Sequence, residues 1–449
     1  MRATDIDREG LRSHTRAWYL GGAITPGFAP LHPGLYAAAV FDGWFRMKKH
    51  IVCIASEYKG NEFLDEAQNS GWNVTLVTRK KLLDEPWLWT ALNDVKTVDD
   101  NASPEDYIRA ITNIAGSRKI DRLVGLDEFD VTTAARAREH LQLGGMSSSH
   151  SLRFRDKLSM RNIAYEAGIA CPDFTSVLNH QEIEAFLDRV PAPWILKPRY
   201  EVSAFGIRKC ETREQVWEVL TDLDNRHNWR DHPSQFVLEK FIAGNVYHVD
   251  SIVEKGKVLA SGVSKYGTPP FSVTHYGGVF TTSIVSYRSR ERKELEKLNQ
   301  QLLSAFKYER GVSHAEFLQS SEDGKFYLLE VACRVGGAYI ANVLEHACNF
   351  NLWREWAKLE TSTKERPYKL PKLRKDFAGV ALALANQDKP DTSHYDDTEI
   401  VYRVSKSKHV GLIFYSSKEK RVRELLETYA ERISTDFLAV APAKERYDD

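Results

Sequence analysis

The residues most able to do chemistry in this chain lie together in VSHAEFLQSSEDGKFYLLEVACRVGG, residues 312–337. Two runs of good strand formers flank the turn SSEDG, centred near Asp323, so the segment is expected to fold as a β-hairpin. Symmetric pairing about that turn sets Glu316 directly opposite Glu330, with Cβ atoms about 4.5–5.5 Å apart. Two like charges at that separation repel unless something positive lies between them. A hard divalent cation bound by carboxylate oxygens meets the need, and magnesium is the expected ion. The alternative is an edge hairpin whose glutamates are solvated, or one of them paired with Arg334.

Three stretches upstream have an order and spacing that belong with this hairpin: FRDKLSMRNIAYEAGIACPDF, PWILKPRYEVSAFGIRKC and FVLEKFIAGNVYHVD. They supply a lysine on a helix, a Lys-Pro strand followed by a loop of small residues, and a Glu-x-Phe-Ile segment. Together with the hairpin they resemble the ATP-grasp ligases, in the branch that joins carboxylates to amines. The likeness runs from about Phe154 to about Glu360. Four ordered motifs are specific where each alone is weak.

The resemblance implies roles residue by residue. Triphosphate needs ammonium groups and backbone N–H donors at fixed positions, and Lys157 and Lys197 match the family's two lysines. Ser203, Ala204 and Gly206 match its phosphate loop, although Tyr200 and Phe205 make this loop bulkier. Glu239, with the backbone of Lys240 and Ile242, matches the adenine-binding segment, and His248 a position that contacts ribose. Glu316 and Glu330 are the implied magnesium ligands. Arg334 is the implied catalytic group, together with Lys197, because a guanidinium there stabilises charge on an acyl phosphate and its tetrahedral adduct. The family reads Glu-x-Asn-x-Arg where this chain has Glu330-Val331-Ala332-Cys333-Arg334, so Ala332 leaves a ligand position vacant and the number of held metals open.

The elements that must position these groups follow from periodicity. HIVCIAS, NEFLDEAQNS and GWNVTLVT form a βαβ pattern, followed by the strand DRLVGLD and the helix AARAREHLQLGG. No GxGxxG follows the first strand, which argues against dinucleotide binding. The expected fold class is mixed α/β and α+β: an ATP-grasp fold with an N-terminal Rossmann-like domain and a small C-terminal α+β lobe. The expected boundaries are residues 1–46 as a poorly ordered extension, 47–150 for the first domain, 151–360 for the nucleotide domain and 376–449 for the lobe. Asp127 or Glu128, in LVGLDEFDVTT, either contacts substrate or caps the following helix. The acceptor pocket is expected in SKYGTPPFSVTHYGGVFTT, with His275 and Tyr276 as candidate contacts.

Composition narrows the partners. The chain has 449 residues, with 62 basic and 62 acidic side chains, so it offers no electrostatic footprint for nucleic acid or an acidic membrane. Five cysteines without a CxxC pair argue against a disulfide framework or zinc ribbon and fit a reducing cytoplasm. There is no apolar run long enough to span a bilayer. The implied activity is an ATP- and Mg2+-dependent ligase whose partners are small-molecule carboxylate and amine substrates, with a homodimer possible through the first domain. Two alternatives share these motifs: a biotin-carboxylase-like enzyme activating bicarbonate, and an ATP-binding protein without turnover.

Overall fold

The computed structural model describes residues 48–226, 230, 232–440 and 446. The extension expected over residues 1–46 lies outside the described residues. From Lys48 to the end the described residues belong to one compact unit.

The chain first builds β1 (His50–Ala55), α1 (Asn61–Asn69), β2 (Asn73–Arg79), β3 (Asp94–Val98), α2 (Pro104–Ser117), β4 (Arg122–Gly125) and α3 (Asp130–His140). The strands form a parallel sheet in the order β3-β2-β1-β4. Its near-continuous apolar strands reflect burial on both faces. Ile51, Cys53 and Ala55 point into one core with Phe63 and Leu64 of α1. Val52 and Ile54 point into another with Tyr107, Ile111 and Ala134 of α2 and α3.

Next come α4 (Ser148–Ser151), α5 (Lys157–Glu166), β5 (Phe174–Ser176), α6 (His180–Arg189), β6 (Trp194–Pro198), β7 (Arg208–Cys210), α7 (Arg213–Asn225) and β8 (Phe236–Lys240). β5, β8, β6 and β7 pair antiparallel in that order. Trp194, Leu196, Phe236 and Leu238 face α6 and α7 in a closed core. The period of two then turns Lys197 and Glu239 to the opposite face, where the site forms.

The remainder is β9 (Gly244–Glu254), β10 (Lys257–Tyr266), α8 (Pro270–Tyr276), β11 (Phe280–Ile284), α9 (Arg290–Ala305), β12 (Arg310–Ser320), β13 (Phe326–Ala332), α10 (Ile340–Cys348), α11 (Leu352–Thr361), β14 (Phe377–Leu384), β15 (Ile400–Arg403), β16 (His409–Ser416) and α12 (Glu419–Asp436). Its eight-stranded sheet has the order β13-β12-β9-β10-β11-β14-β16-β15. The C-terminal strands are therefore not a separate sheet. β14 pairs with β11 from Phe280↔Leu382 to Ser283↔Gly379 and extends the same surface, and α12 covers its far end through Val422, Leu425, Tyr429 and Ile433.

Candidate active site

In the hairpin of β12 and β13, Glu316 is the direct cross-strand partner of Glu330. A bulge immediately beyond Glu316 gives β13 one extra residue, Leu329, so the register of the tip differs from that at the carboxylates. Glu330 has the Lys157 ammonium at 3.4 Å. Glu316 accepts from the Tyr266 hydroxyl at 2.7 Å and lies 3.3 Å from His314 Nε2. Burial alone would raise the Glu316 pKa, but His314 and Tyr266 outweigh it and hold the carboxyl down at about 2. The pairing is as expected from the sequence, and each carboxylate also has a partner within the protein.

Behind Glu316 lies a closed polar chain. His314 Nδ1 is 2.8 Å from Asp250 Oδ1, His248 Nδ1 is 2.5 Å from Asp250 Oδ2, and His248 Nε2 is 2.7 Å from Thr282 Oγ1. These side chains are buried, and both nitrogens of His248 are taken. The ribose contact expected of His248 is therefore corrected: the ring sits inside the sheet and braces Asp250. Burial opposes a charge on His314, but Asp250 and Glu316 prevail and raise its pKa to about 9. Its cross-strand partner is Ala332, so the place where the family has asparagine faces an imidazole. Gly336 is required here, since a Cβ would come within 2.8 Å of Asp250 Oδ1 and of His314 Nδ1. The signal for this chain was present as His-x-Glu and His-x-Asp, each placing two polar groups on one strand face.

On the facing sheet Lys197 Nζ lies 2.9 Å from Glu239. Desolvation lowers the Lys197 pKa to about 8, with Arg161 adding to the fall and Glu239 opposing it. Arg161, fully buried on α5, donates to the Leu329 carbonyl at 2.8 Å and so joins the two sheets. It stands one helical turn after Lys157, the spacing that puts both on one face, yet sequence reasoning passed over it. Its Nε is 2.8 Å from Glu239 Oε1 without a hydrogen bond, and Glu239 Oε1 and Arg161 Nη1 remain buried with no hydrogen-bond partner among the described residues. Lys240 and Ile242 follow Glu239 in sequence, and the Lys240 amide is spent on the Asp173 carbonyl.

The loop after β6 is tied to the start of α5 by three consecutive residues. Arg155 donates to the Tyr200 carbonyl at 2.7 Å, Asp156 accepts from Arg199 Nε at 2.8 Å, and Lys157 Nζ donates to the Glu201 carbonyl at 2.6 Å. Ser203, Ala204 and Gly206 take positive φ of 55°, 61° and 66°, so this glycine-poor loop adopts left-handed turns at two positions with side chains. Across from it, α8 bonds the loop through Thr274 Oγ1 to the Ser203 carbonyl at 3.1 Å and His275 Nε2 to the Ile207 carbonyl at 3.0 Å. His275 Nδ1 faces the Phe271 carbonyl at 3.0 Å, so the ring holds loops together, and Tyr276 is exposed.

Arg334 donates through Nε to Glu128 at 2.8 Å, and Arg155 reaches the other oxygen of Glu128 at 2.7 Å. Burial works against the Glu128 charge, but Arg155 and Arg334 overcome it and hold its pKa at about 2. Neither Asp127 nor Glu128 caps α3, which has no side-chain cap. The first domain thus enters the site through Glu128.

Residues 190–342 match the model of the ATP-grasp domain. The chain is 23% identical over 290 residues to an L-arginine-specific L-amino acid ligase of Bacillus subtilis, covering 64% of this chain and 69% of that protein. It is 28% identical over 153 residues to an alanine–anticapsin ligase of the same species, covering 32% of each. An L-amino acid ligase from Bacillus licheniformis superposes with a TM-score of 0.71 at 17% identity, over 88% of this chain and 98% of that one. With these likenesses, residues 190–342 match an ATP-grasp domain and the chain has the fold of the ligases it resembles.

Proposed function

We propose that this chain is an ATP-dependent ligase that activates a carboxylate as an acyl phosphate and joins it to an amine, in the manner of an amino-acid ligase. The observation that carries the reading is the convergence of Lys197 and Glu239 on one sheet, Glu316 and Glu330 on another, and Lys157 at the start of α5. The relatives named above as ligases support it. Lys157 and Lys197 supply the ammonium groups that phosphate oxygens require. Glu239, an acceptor on the sheet face beside Lys197, suits the exocyclic amine of the adenine ring. Ser203 and Gly206 turn the loop backbone toward the phosphates, and Lys240 and Ile242 border the base.

Glu316 and Glu330, facing carboxylates on neighbouring strands, would supply oxygen ligands to magnesium, which would offset phosphate charge. Lys157 and Lys197 orient the triphosphate so that the substrate carboxylate attacks in line. Arg334, held by Glu128, faces the charge that grows on the carbonyl oxygen as the amine displaces phosphate. No covalent nucleophile of the protein is needed: burial keeps Cys333 protonated, its pKa pushed up to about 12. The five cysteines are free, which supports a reducing compartment, the cytoplasm in our reading. Among the described residues no helix is long and apolar enough to cross a membrane.

The test is phosphate release from ATP and magnesium with pools of amino acids. Release that requires both a carboxylate and an amine is expected. Release with bicarbonate alone would move the protein to the carboxylase-like alternative, and ATP binding without release under any condition would leave it a nucleotide-binding protein.

A further inference from the structure

The buried polar chain behind Glu316 ends in one nitrogen that faces the paired carboxylates. Among the described residues, His248, Asp250 and His314 are the one group of three side chains whose potential ligand atoms lie within 4.8 Å of one another. They do not enclose an ion by themselves. Both nitrogens of His248 and both oxygens of Asp250 are engaged, with Thr282, with each other and with His314 Nδ1. His314 Nε2 is the remaining donor of the set, and it lies 3.3 Å from Glu316 Oε1. Side-chain exposure rises along the chain toward the carboxylates, from 0% at His248 and Asp250 through 9% at His314 to 22% at Glu316 and 25% at Glu330.

Several features suit this nitrogen to ligation rather than to steadying Glu316. Glu316 Oε1 already has a hydrogen-bond donor, the Tyr266 hydroxyl at 2.7 Å. The separation also suits a shared ion, because two donors bound to one ion at about 2.0–2.2 Å lie about 2.8–3.6 Å apart at octahedral or tetrahedral angles. Behind the ring is the arrangement that metal-bound imidazoles have: Nδ1 faces a carboxylate at 2.8 Å, which fixes the ring and directs the other nitrogen outward. Asp250 is held from its far side by His248 at 2.5 Å, and the packing is so close that a Cβ at Gly336 would come within 2.8 Å of both Asp250 and His314. The cross-strand partner of His314 is Ala332, a side chain with no donor atom, so on that rung of the hairpin His314 alone can reach an ion.

From this geometry we propose that His314 Nε2 is a ligand of the divalent cation held by Glu316 and Glu330, and that the site takes Mn2+ ahead of Mg2+. Ligation needs the neutral ring, so a proton leaves Nε2 as the ion arrives. Carboxylate oxygens alone suit Mg2+, whereas an imidazole among the ligands favours a first-row transition ion. Of these, Mn2+ retains the affinity for carboxylate and phosphate oxygens that the site also requires. The proposal rests on the metal site of the ligase reading above and adds to it a third protein ligand and the identity of the ion.

The experiment is pulsed electron paramagnetic resonance on the full chain loaded with Mn2+ and inorganic triphosphate, which carries no nitrogen of its own. Wild type is expected to show the hyperfine coupling of one directly bound imidazole nitrogen, and His314→Gln to lack it. Calorimetric titration with each ion in the presence of triphosphate gives a second readout. His314→Gln should weaken Mn2+ binding at least about tenfold and change Mg2+ binding by less than about threefold, because its amide oxygen serves the harder ion. Mn2+ bound to wild type without nitrogen coupling would overturn the proposal, an outcome that needs no variant to fold. Coupling that survives in His314→Gln would overturn it too, as would an equal loss of both ions, the result expected if His314 only steadies Glu316. Each of these outcomes leaves the ligase reading intact, since that reading stands on phosphate release that requires an amine. Wild type that binds neither ion would remove the metal site itself and the proposal with it.

Discussion

Replacing Glu128 by glutamine tests whether the first domain holds Arg334 in place. Glu128 is buried between two guanidiniums, Arg155 at 2.7 Å and Arg334 at 2.8 Å, and its carboxyl is held at about 2 rather than the usual 4.5. A depression of that size corresponds to about 3 kcal/mol favouring the charged form. Breaking a buried pair by removing one partner costs about 3–5 kcal/mol, since the charges left behind stay uncompensated. Glu128→Gln should therefore destabilise the protein by about 3 kcal/mol at pH 7, read by urea unfolding. The pH dependence has a definite sign. The folded pKa is depressed, so the contribution is fully present above about 4.5 and is lost as pH falls toward and through about 2. Wild type should lose stability over that window relative to the variant, whose curve lacks this component. A penalty under about 1 kcal/mol at pH 7, or parallel pH profiles, would mean that solvent or another anion serves the two arginines and would refute the reasoning.

Other sites give independent checks. Lys197→Ala should weaken ATP binding by about 1.5–3 kcal/mol, the value of a charged hydrogen bond, and calorimetry showing affinity within twofold of wild type would remove Lys197 from the phosphate site. Glu316→Gln should abolish magnesium-dependent turnover and, because His314 and Tyr266 favour the charged carboxylate, lower the melting temperature in chelator; a variant that melts higher there would show that repulsion from Glu330 dominates. Arg334→Lys should lower kcat by about 10²-fold or more while Kd for ATP holds, since lysine keeps the charge and loses the planar fork. An equal loss of ATP affinity would place Arg334 among the nucleotide-holding groups.

Periodicity and local chemistry were enough to predict much of this molecule from residues close in sequence. The turn SSEDG lies between two strand-forming runs, and a ladder closed by so short a connection places Glu316 against Glu330 whatever the rest of the chain does. The alternation of β6 and β8 likewise turns Lys197 and Glu239 away from Leu196 and Leu238, because the period of a strand is local. The partners of these groups were decided only by the tertiary structure. Glu128 meets Arg334 across 206 positions, and Arg161 meets Glu239 across 78, contacts that no spacing rule can express. His248 matched a ribose-binding position in sequence, yet the pairing of β9 between β10 and β12 buries it against Asp250 and Thr282. The C-terminal strands read as a lobe of their own, but whether β14 starts a new sheet or joins β11 depends on which edge is left unpaired, and an open edge is known only once the other strands are in place. Side-chain type and local period determine which groups face a site; the assembly of distant elements determines their charge, their partners and what remains open for a substrate.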